Sequence, residues 1–312
     1  MTHFTTTDTY IADIIAWREH VEATLRADDG WLTVAGLFWL DEGENKAGAD
    51  PSLPVALPAD SAPALIGSFW RSGRRVVLQP AADVDLQING KPATQHELRS
   101  DAGGTGTPDL VTIGALTIFV IERGDRIGLR LRDRNSLARR TFRGRQWFSI
   151  DPAYRLTARF VPYEPPKPLT ITSILGDTSE TTSPGALHFT LDGQALALDT
   201  TRSGERLSIV FRDLTAGHET YGAARFLTTS LPVNGLVELD FNRAVNPPCA
   251  FTEYATCPLP SPQNRLPVRI SSADHRCMEQ AFRQLHAPVV LLCLQLGCNH
   301  PPQIIGRAGG IG

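Results

Sequence analysis

The sequence is poor in lysine: Lys46, Lys91 and Lys167 are its only lysines, and arginine supplies the rest of its 30 basic residues. Set against 33 acidic residues, these leave a net charge of −3, which argues against general binding of nucleic acid or of an anionic membrane. Two origins of the arginine bias stay open. One is the codon usage of a GC-rich genome, and the other is bidentate recognition of carboxylate or phosphate by guanidinium groups.

Long apolar runs are also absent. The longest, 288–297, falls short of the roughly 20 residues that a transmembrane helix needs. The N-terminus, MTHFTTTDTY, lacks the basic region and the following apolar region of a signal peptide. The five cysteines are odd in number and irregularly spaced, unlike a disulfide framework. The sequence therefore predicts a cytoplasmic protein with no membrane partner.

The sequence also lacks the common catalytic signatures. It contains no G-x-S-x-G, no Walker loop, no H-E-x-x-H and no dinucleotide fingerprint, which argues against a standard hydrolase, kinase, metalloprotease or dehydrogenase. Cys293, Cys298 and His300, with His275 or Cys277, could be imagined as zinc ligands, but their spacing fits no standard structural zinc pattern. We therefore predict no metal site and no cofactor.

What is present indicates a mainly β fold: an N-terminal helix followed by two packed antiparallel β-sandwich or barrel-like domains. Isoleucines at helical spacing after Asp8 predict a helix within 1–30. Short strands broken by glycine and proline follow in 31–135 and in 136–270, with hairpin turns at Asn89-Gly90 and Asp192-Gly193. The arginines of 123–145 predict a strand with one solvated, charged face, and the alternative is a groove that binds an anion. Residues 271–312 change character and are interpreted as an atypical C-terminal tail.

Within 31–135, the order GADPSLPVALP, SAPALIGSF, INGKPATQHEL and LVTIGALTIFVIERG resembles a forkhead-associated sandwich. That fold normally reads phosphothreonine through an arginine after its first glycine and a Ser-x-x-His pair. Here Ala49 follows Gly48, and Ala64 stands three residues after Ser61, so only Asn89-Gly90 matches. The resemblance implies the sandwich and not phosphopeptide binding, because a fold alone carries no function.

The stretch from Leu236 to Ile270 is the most distinctive part of the chain. Alternation of Val237, Leu239 and Phe241 with polar residues predicts a strand, and Pro247-Pro248 ends it. A stiff proline-rich loop then runs to Pro267. A long ordered loop of this kind is typical of a binding loop, and the alternative is a structural strap that covers a sheet edge.

This stretch and the one from Phe211 to Arg225 supply the candidate site residues. Tyr221 and Arg225 are predicted to share a strand face, with the strand from Leu236 beside them. Arginine for charge, asparagine for paired hydrogen bonds and tyrosine for stacking suit a small polar or anionic ligand. The predicted ligand-binding residues are Arg212, Tyr221, Arg225, Asn242, Arg243, Asn246, Tyr254 and Asn264.

A catalytic interpretation stays open beside this one. Cys249 or Cys257 could act as a nucleophile with His218 as base and an acid that orients it, and Asp240 is a further catalytic candidate. A cysteine is also a common small buried hydrophobe. A Cys249–Cys257 disulfide is possible by loop closure but is disfavoured in a cytosol.

The segments FNRAVNPPCAFTEYATCPLPSPQNRLPV, FRDLTAGHETYGAARFL, DPAYRLTARFVPYEPPK and GWLTVAGLFWLDEGEN together resemble a bacterial and archaeal family, domain-of-unknown-function family 1684. The resemblance covers roughly Trp17 to Ile270 and implies no activity. Three hypotheses follow: a binding protein for a small polar or anionic molecule, an enzyme of the hydrolase or isomerase type, and a protein–protein scaffold acting through the first sandwich. The oligomeric state is left open.

Overall fold

A computed structural model describes residues 7–102 and 107–275 of the chain. These residues belong to one compact unit. The first part contains one long helix and eleven strands, namely α1 (Thr7–Arg26), β1 (Val34–Trp39), β2 (Gly43–Gly48), β3 (Val55–Ala56), β4 (Gly67–Ser72), β5 (Arg75–Pro80), β6 (Gln87–Ile88), β7 (Lys91–Pro92), β8 (His96–Glu97), β9 (Val111–Ile113), β10 (Leu116–Arg123) and β11 (Arg126–Asp133).

A short helix and seven strands follow, namely α2 (Leu137–Thr141), β12 (Arg155–Thr172), β13 (Thr178–Leu191), β14 (Gln194–Asp199), β15 (Thr201–Ser203), β16 (Arg206–Phe211), β17 (Arg225–Ser230) and β18 (Leu236–Asp240). The prediction of a mainly β fold with an N-terminal helix and packed antiparallel sheets is confirmed. Hairpins form at Asn89-Gly90 and Asp192-Gly193 as predicted, and Asn89 and Asp192 take the positive φ that such turns require. No helix in the described ranges has the length and apolar character to cross a membrane.

Two sheets share the first hydrophobic core. One has the strand order β1-β11-β10-β9-β6-β7 and the other β3-β2-β4-β5-β8, with antiparallel pairing except between β2 and β3. Alternation places Val76 and Leu78 of β5 inward, where they join Phe69 of β4 and Leu129 of β11. This core follows from the period-2 pattern of the first β region.

A second core lies between the sheets β14-β13-β12-β18 and β15-β16-β17. Leu187, Leu239 and Ile209 are fully buried in it, and the rings of Phe211 and Phe241 pack edge to face with centroids 5.4 Å apart. The 264–270 segment contributes Leu266, Val268 and Ile270 to the same core. The division into domains at 135/136 stays a prediction.

The proline-rich segment is packed against the body of the protein. It contains short 3-10 turns at Pro248–Ala250 and Pro262–Asn264. Its side chains contact both β regions: Thr252 donates to the carbonyl of Val34 (3.1 Å), and Thr256 accepts from Arg123 Nε (2.9 Å). The segment therefore connects the first β region to the second.

Three local predictions are wrong. β17 begins at Arg225, so Tyr221 lies in the preceding loop and shares no strand face with it. β18 pairs with β12, and not with β17. The third concerns Arg130, predicted on a solvated face: it is 4% exposed because its guanidinium lies 5.1 Å from the centre of the Trp31 ring and 3.4 Å from Thr256.

Candidate functional site

The predicted site residues are distributed among separate clusters. Arg225, Asp240, Asn242, Asn246 and Asn264 are buried groups paired inside the protein. Cys249 and Cys257 of the proline-rich segment form a buried cluster with Tyr221. Arg212 and His218 line a surface cavity. These groups were predicted to act together, and each cluster has its own chemistry.

Arg225 is held at the start of β17 with 1% of its surface exposed. Its Nη2 donates to Asp213 Oδ2 (2.8 Å), and its Nη1 donates to the carbonyl of Ser272 (2.7 Å). The same carboxylate accepts from Thr215 Oγ (2.6 Å) and from the Ile270 amide (2.6 Å). Burial lowers the pKa of Arg225, and the Asp213 charge opposes that shift. The pair thus anchors the loop after β16 and the 270–272 segment.

Asp240 and Asn242 meet Tyr10 of α1 in a second interior cluster. The Tyr10 hydroxyl lies 3.0 Å from each Asp240 carboxylate oxygen and accepts from Asn242 Nδ2 at 2.9 Å. The side-chain oxygen of Asn242, Oδ1, accepts from the Asp151 amide (3.1 Å) and from the Ser272 hydroxyl (2.9 Å). Burial raises the pKa of Asp240, and it raises that of Tyr10 with help from the Asp240 charge.

Arg243 borders this cluster: its Nε lies 3.6 Å from Asp240 Oδ2, and its guanidinium lies over the Trp17 ring. The ion pair and the ring contact occupy a side chain that was predicted to bind ligand. Together the cluster fastens α1 to the end of β18 and offers no open space around the Asp240 carboxyl, which is 4% exposed.

The side-chain amides of Asn264 and Asn246 fasten loops by hydrogen bonds to backbone groups. The Asn264 amide accepts from the Asp199 N–H (2.8 Å) and donates to the carbonyls of Asp199 and Val210 (both 2.9 Å). Asn246 Nδ2 donates to the His275 carbonyl (3.0 Å). Tyr254 is half-buried, and burial raises its pKa to about 12.

Cys249 and Cys257 are brought together, both as free thiols. The Cys249 amide donates to the Cys257 sulfur at 3.2 Å. The Tyr221 hydroxyl donates to the Cys249 carbonyl at 2.9 Å. Burial raises the pKa of Tyr221, so its hydroxyl stays protonated as a donor.

Arg212 and His218 line a surface cavity of about 410 Å³, which we call the Arg212/Arg265 cavity. Arg212 and Arg265 are neighbours in a parallel β-bridge: the Arg212 amide donates to the Asn264 carbonyl (3.1 Å), and the Leu266 amide donates to the Arg212 carbonyl (2.8 Å). Neither guanidinium makes a hydrogen bond or ion pair with the residues that the structure describes. The other lining residues are Asp213, Leu214, Ala216, Leu266 and Pro267.

The sequence prediction omitted Arg265 from this cavity. Arg265 stands inside the proline-rich segment, where no periodicity assigns it a face or a neighbour. The signal that could have found it is the alternation of exposed Arg265, Pro267 and Arg269 with buried Leu266, Val268 and Ile270, which marks an extended segment along a sheet.

A second cavity of about 570 Å³ lies on the outer face of β12–β14, where exposed Arg159 and His188 face each other across the strands. Within 7–102 and 107–275, no three histidine, cysteine, aspartate or glutamate side chains gather as metal ligands. Of the residues weighed as zinc ligands, Cys277, Cys293, Cys298 and His300 lie outside the described ranges.

Residues 140–274 match the family model described as "Protein of unknown function (DUF1684)". No curated protein matches the chain. Among solved structures, the chain is similar to an uncharacterized protein of Haloarcula marismortui determined by solution NMR. The two are 29% identical over 44% of this chain and 78% of that chain, with a TM-score of 0.38.

The family match supports the resemblance drawn from the sequence for the three segments between Asp151 and Val268. GWLTVAGLFWLDEGEN lies before the matched range. The resemblance of the first β region to a forkhead-associated sandwich stays a prediction.

Proposed function

We propose that the protein binds a small anionic molecule, a carboxylate or phosphate, in the Arg212/Arg265 cavity. The observation that carries this proposal is the backbone bridge that places Arg212 beside Arg265, with both arginines lining one open cavity. Two like charges at neighbouring positions repel each other, and a bound anion converts that repulsion into attraction. Guanidinium groups suit this use, because their planar fork binds carboxylate and phosphate oxygens in pairs.

The surrounding charges favour an anion over a cation. Asp213 lines the cavity, but its carboxylate is engaged by Arg225, Thr215 and the Ile270 amide. Glu219, on the adjoining loop, pairs with Arg269. His218 adds an exposed imidazole that can donate a further hydrogen bond. The cavity therefore keeps its positive charge.

The interior residues support the cavity from beneath. Asn264 fixes the backbone next to Arg265, and the Arg225–Asp213 pair fixes the backbone that follows Arg212. Side chains on a rigid backbone lose less entropy when they close on a ligand. In this proposal, Arg225 and Asn264 act as positioning residues without touching the ligand.

The enzyme hypothesis has less support. His218 borders the Arg212/Arg265 cavity, whose lining includes neither Asp240 nor the two cysteines. Asp240 is bonded to Tyr10 and Asn242, away from any described cavity. The scaffold hypothesis rests on Leu65 and Trp70, the large apolar side chains exposed on the first β region, and single exposed residues are ordinary on protein surfaces.

Arg212→Ala and Arg265→Ala test the proposal. Inorganic phosphate and a panel of small mono- and dicarboxylates are titrated into the protein by isothermal calorimetry at low ionic strength, where charge interactions are least screened. We expect each variant to weaken binding at least about tenfold, equivalent to about 1.4 kcal/mol. Arg212→Lys keeps the charge but loses the planar fork, and we expect it to restore only part of the affinity.

Arg206→Ala is the matched control, since Arg206 is an exposed arginine at the start of β16, the strand that ends immediately before Arg212, and it lies outside the cavity. It should leave the affinity of every anion unchanged. Equal weakening by Arg206→Ala, or full affinity in Arg212→Ala, would show that any binding is a general charge effect. If no anion of the panel binds the unaltered protein, the proposal fails.

A further inference from the structure

Two thiols in one buried cluster form a pair with chemistry of its own. Cys249 is 9% exposed and Cys257 is 5% exposed, and they pack with Ala255 against Trp31, Ile174 and Phe226. The Cys249 amide donates to the Cys257 sulfur at 3.2 Å, so this sulfur lies directly against the backbone that carries the Cys249 side chain. The eight-residue separation closes a short loop, so neither sulfur has far to move to reach the other.

The backbone around both sulfurs is fixed by bonds to other parts of the chain. Tyr221 holds the Cys249 carbonyl, and the Ile174 amide donates to the Cys257 carbonyl at 2.8 Å. Between them, Thr252 is tied to the Val34 carbonyl. A pair held in this way stays in proximity without an entropic cost at the moment of reaction.

The two thiols differ in acidity, which assigns them different parts. The Cys257 side chain lowers the pKa of Cys249, and burial opposes that shift. The Cys249 side chain, together with burial, raises the pKa of Cys257. Because the thiolate is the nucleophile, Cys249 is the thiol that attacks first, and it is also the more exposed of the two.

Arg130 supplies a positive charge that acts on Cys257, the second thiol of the pair. It is buried, burial lowers its pKa to about 10, and its charge acts on Cys257. Once Cys249 is oxidised it no longer holds the negative charge that keeps Cys257 protonated. The Arg130 guanidinium then favours the Cys257 thiolate.

From this geometry we propose that Cys249 and Cys257 form a redox-active pair that is oxidised by hydrogen peroxide to a reversible intramolecular disulfide. The Cys249 thiolate attacks one peroxide oxygen, so that an S–O bond forms, the O–O bond breaks and the leaving hydroxide takes a proton to become water. The Cys257 thiolate then attacks the Cys249 sulfur, so that an S–S bond forms, the S–O bond breaks and a second water leaves. Two thiols and one peroxide thereby give one disulfide and two waters.

The pair is independent of the Arg212/Arg265 cavity. It uses different residues and a different reactant, so loss of anion binding would leave this proposal standing, and the reverse is also true.

The test uses the full chain with Cys277, Cys293 and Cys298 replaced by serine, which leaves Cys249 and Cys257 as its only cysteines. The folded protein is exposed to hydrogen peroxide, and intact mass and peptide mapping follow the products. We expect a species that has lost two hydrogens, a Cys249–Cys257 cross-linked peptide, and full reversal by dithiothreitol. Alkylation rates measured against pH should show that one thiol has a pKa below the ordinary range for cysteine.

Two further variants of this background separate the steps. Cys257→Ser should stop at a sulfenic acid on Cys249, one oxygen heavier and trapped by dimedone. Cys249→Ser should lower the rate of peroxide consumption at least about tenfold, because the remaining thiol is the less acidic one. Circular dichroism confirms that each variant folds.

Three results would overturn the proposal. In the first, both thiols stay reduced in the folded protein under conditions that oxidise the urea-unfolded chain. In the second, Cys249 proceeds to sulfinic acid without a disulfide, which would mean that Cys257 does not resolve it. In the third, peroxide consumption is the same in Cys249→Ser as in the unsubstituted pair.

Discussion

Asp240 is an acid whose protonation is tied to folding. It is buried, and Tyr10, Asn242 and Arg243 surround its carboxylate. Burial is the largest influence and raises its pKa above the ordinary value, despite the donors that oppose the shift. A raised pKa means that the folded state binds the proton more tightly than the unfolded state does.

The sign of the pH effect follows from that shift. The stability contributed by the Asp240 proton is fully present below the unfolded pKa, about 3.9, and is lost as pH rises through the higher folded pKa. Asp240→Asn should therefore lack this decline, so that the free energy of unfolding of the variant gains on that of the unaltered protein as the pH rises above about 4. Urea denaturation at several pH values measures the difference.

Asp192→Asn is the matched control for this prediction. Asp192 is an exposed turn acid with a positive φ, a conformation that asparagine also adopts readily. It should change stability by a constant amount across the same range. Parallel pH curves for Asp240→Asn and the unaltered protein would contradict the assignment.

At the scale of elements, the Arg225–Asp213 pair joins β17 to the loop after β16 and to the 270–272 segment. Removing one partner leaves the other charge buried without compensation, which costs about 3–5 kcal/mol in proteins. We expect Arg225→Met to destabilise by that order and Arg225→Met/Asp213→Leu to cost less than the two single changes combined. Chemical denaturation in a double-mutant cycle measures the coupling.

Arg202→Met removes an exposed arginine that pairs with Glu205 and donates to the Gly204 carbonyl, both on its own hairpin, and it controls for the loss of charge. It should change the free energy of unfolding by less than about 1 kcal/mol. Strict additivity of Arg225→Met and Asp213→Leu would show that the pair does not stabilise the fold as one unit.

Local patterns in the sequence predicted the elements that depend on local contacts. Asn89-Gly90 and Asp192-Gly193 determine their hairpins within a few residues, and alternation in β18 assigned its buried face. Arg225 was placed in a ligand site by its chemistry, but its partners Asp213 and Ser272 are 12 and 47 residues away. Nothing periodic in the sequence links such positions.

The same reason explains the cysteines and Arg265. Cys249, Cys257 and Arg265 lie on a proline-rich segment without regular structure, so neither their neighbours nor their exposure follow from spacing. The residue types correctly indicated where polar chemistry is concentrated. Whether each polar group faces a cavity or a buried partner depends on long-range packing.

At the scale of the whole molecule, contacts between the two β regions bear on the prediction of separate domains. Ser136 donates to the Leu32 carbonyl (2.6 Å), Thr252 to that of Val34 (3.1 Å), and Arg126 pairs with Asp177 (2.9 Å). We therefore expect residues 31–275 to unfold in a single cooperative transition. Differential scanning calorimetry of the full chain tests this, with agreement between the calorimetric and van't Hoff enthalpies as the criterion.

A resolved pair of transitions would contradict that expectation. Repeating the scan with Arg126→Ala and Thr252→Val provides the control. If these bonds couple the two β regions, their loss should broaden the transition or divide it.

The bond between Tyr10 and Asp240 joins residues 230 positions apart. During translation Tyr10 therefore leaves the ribosome long before its partner, by roughly 10–50 s at common bacterial synthesis rates. For that interval, the face of α1 that carries Tyr10 and Ile14 has no Asp240 and no β18 to pack against. A nascent chain of this protein thus forms α1 well before the partner of Tyr10 has been synthesised.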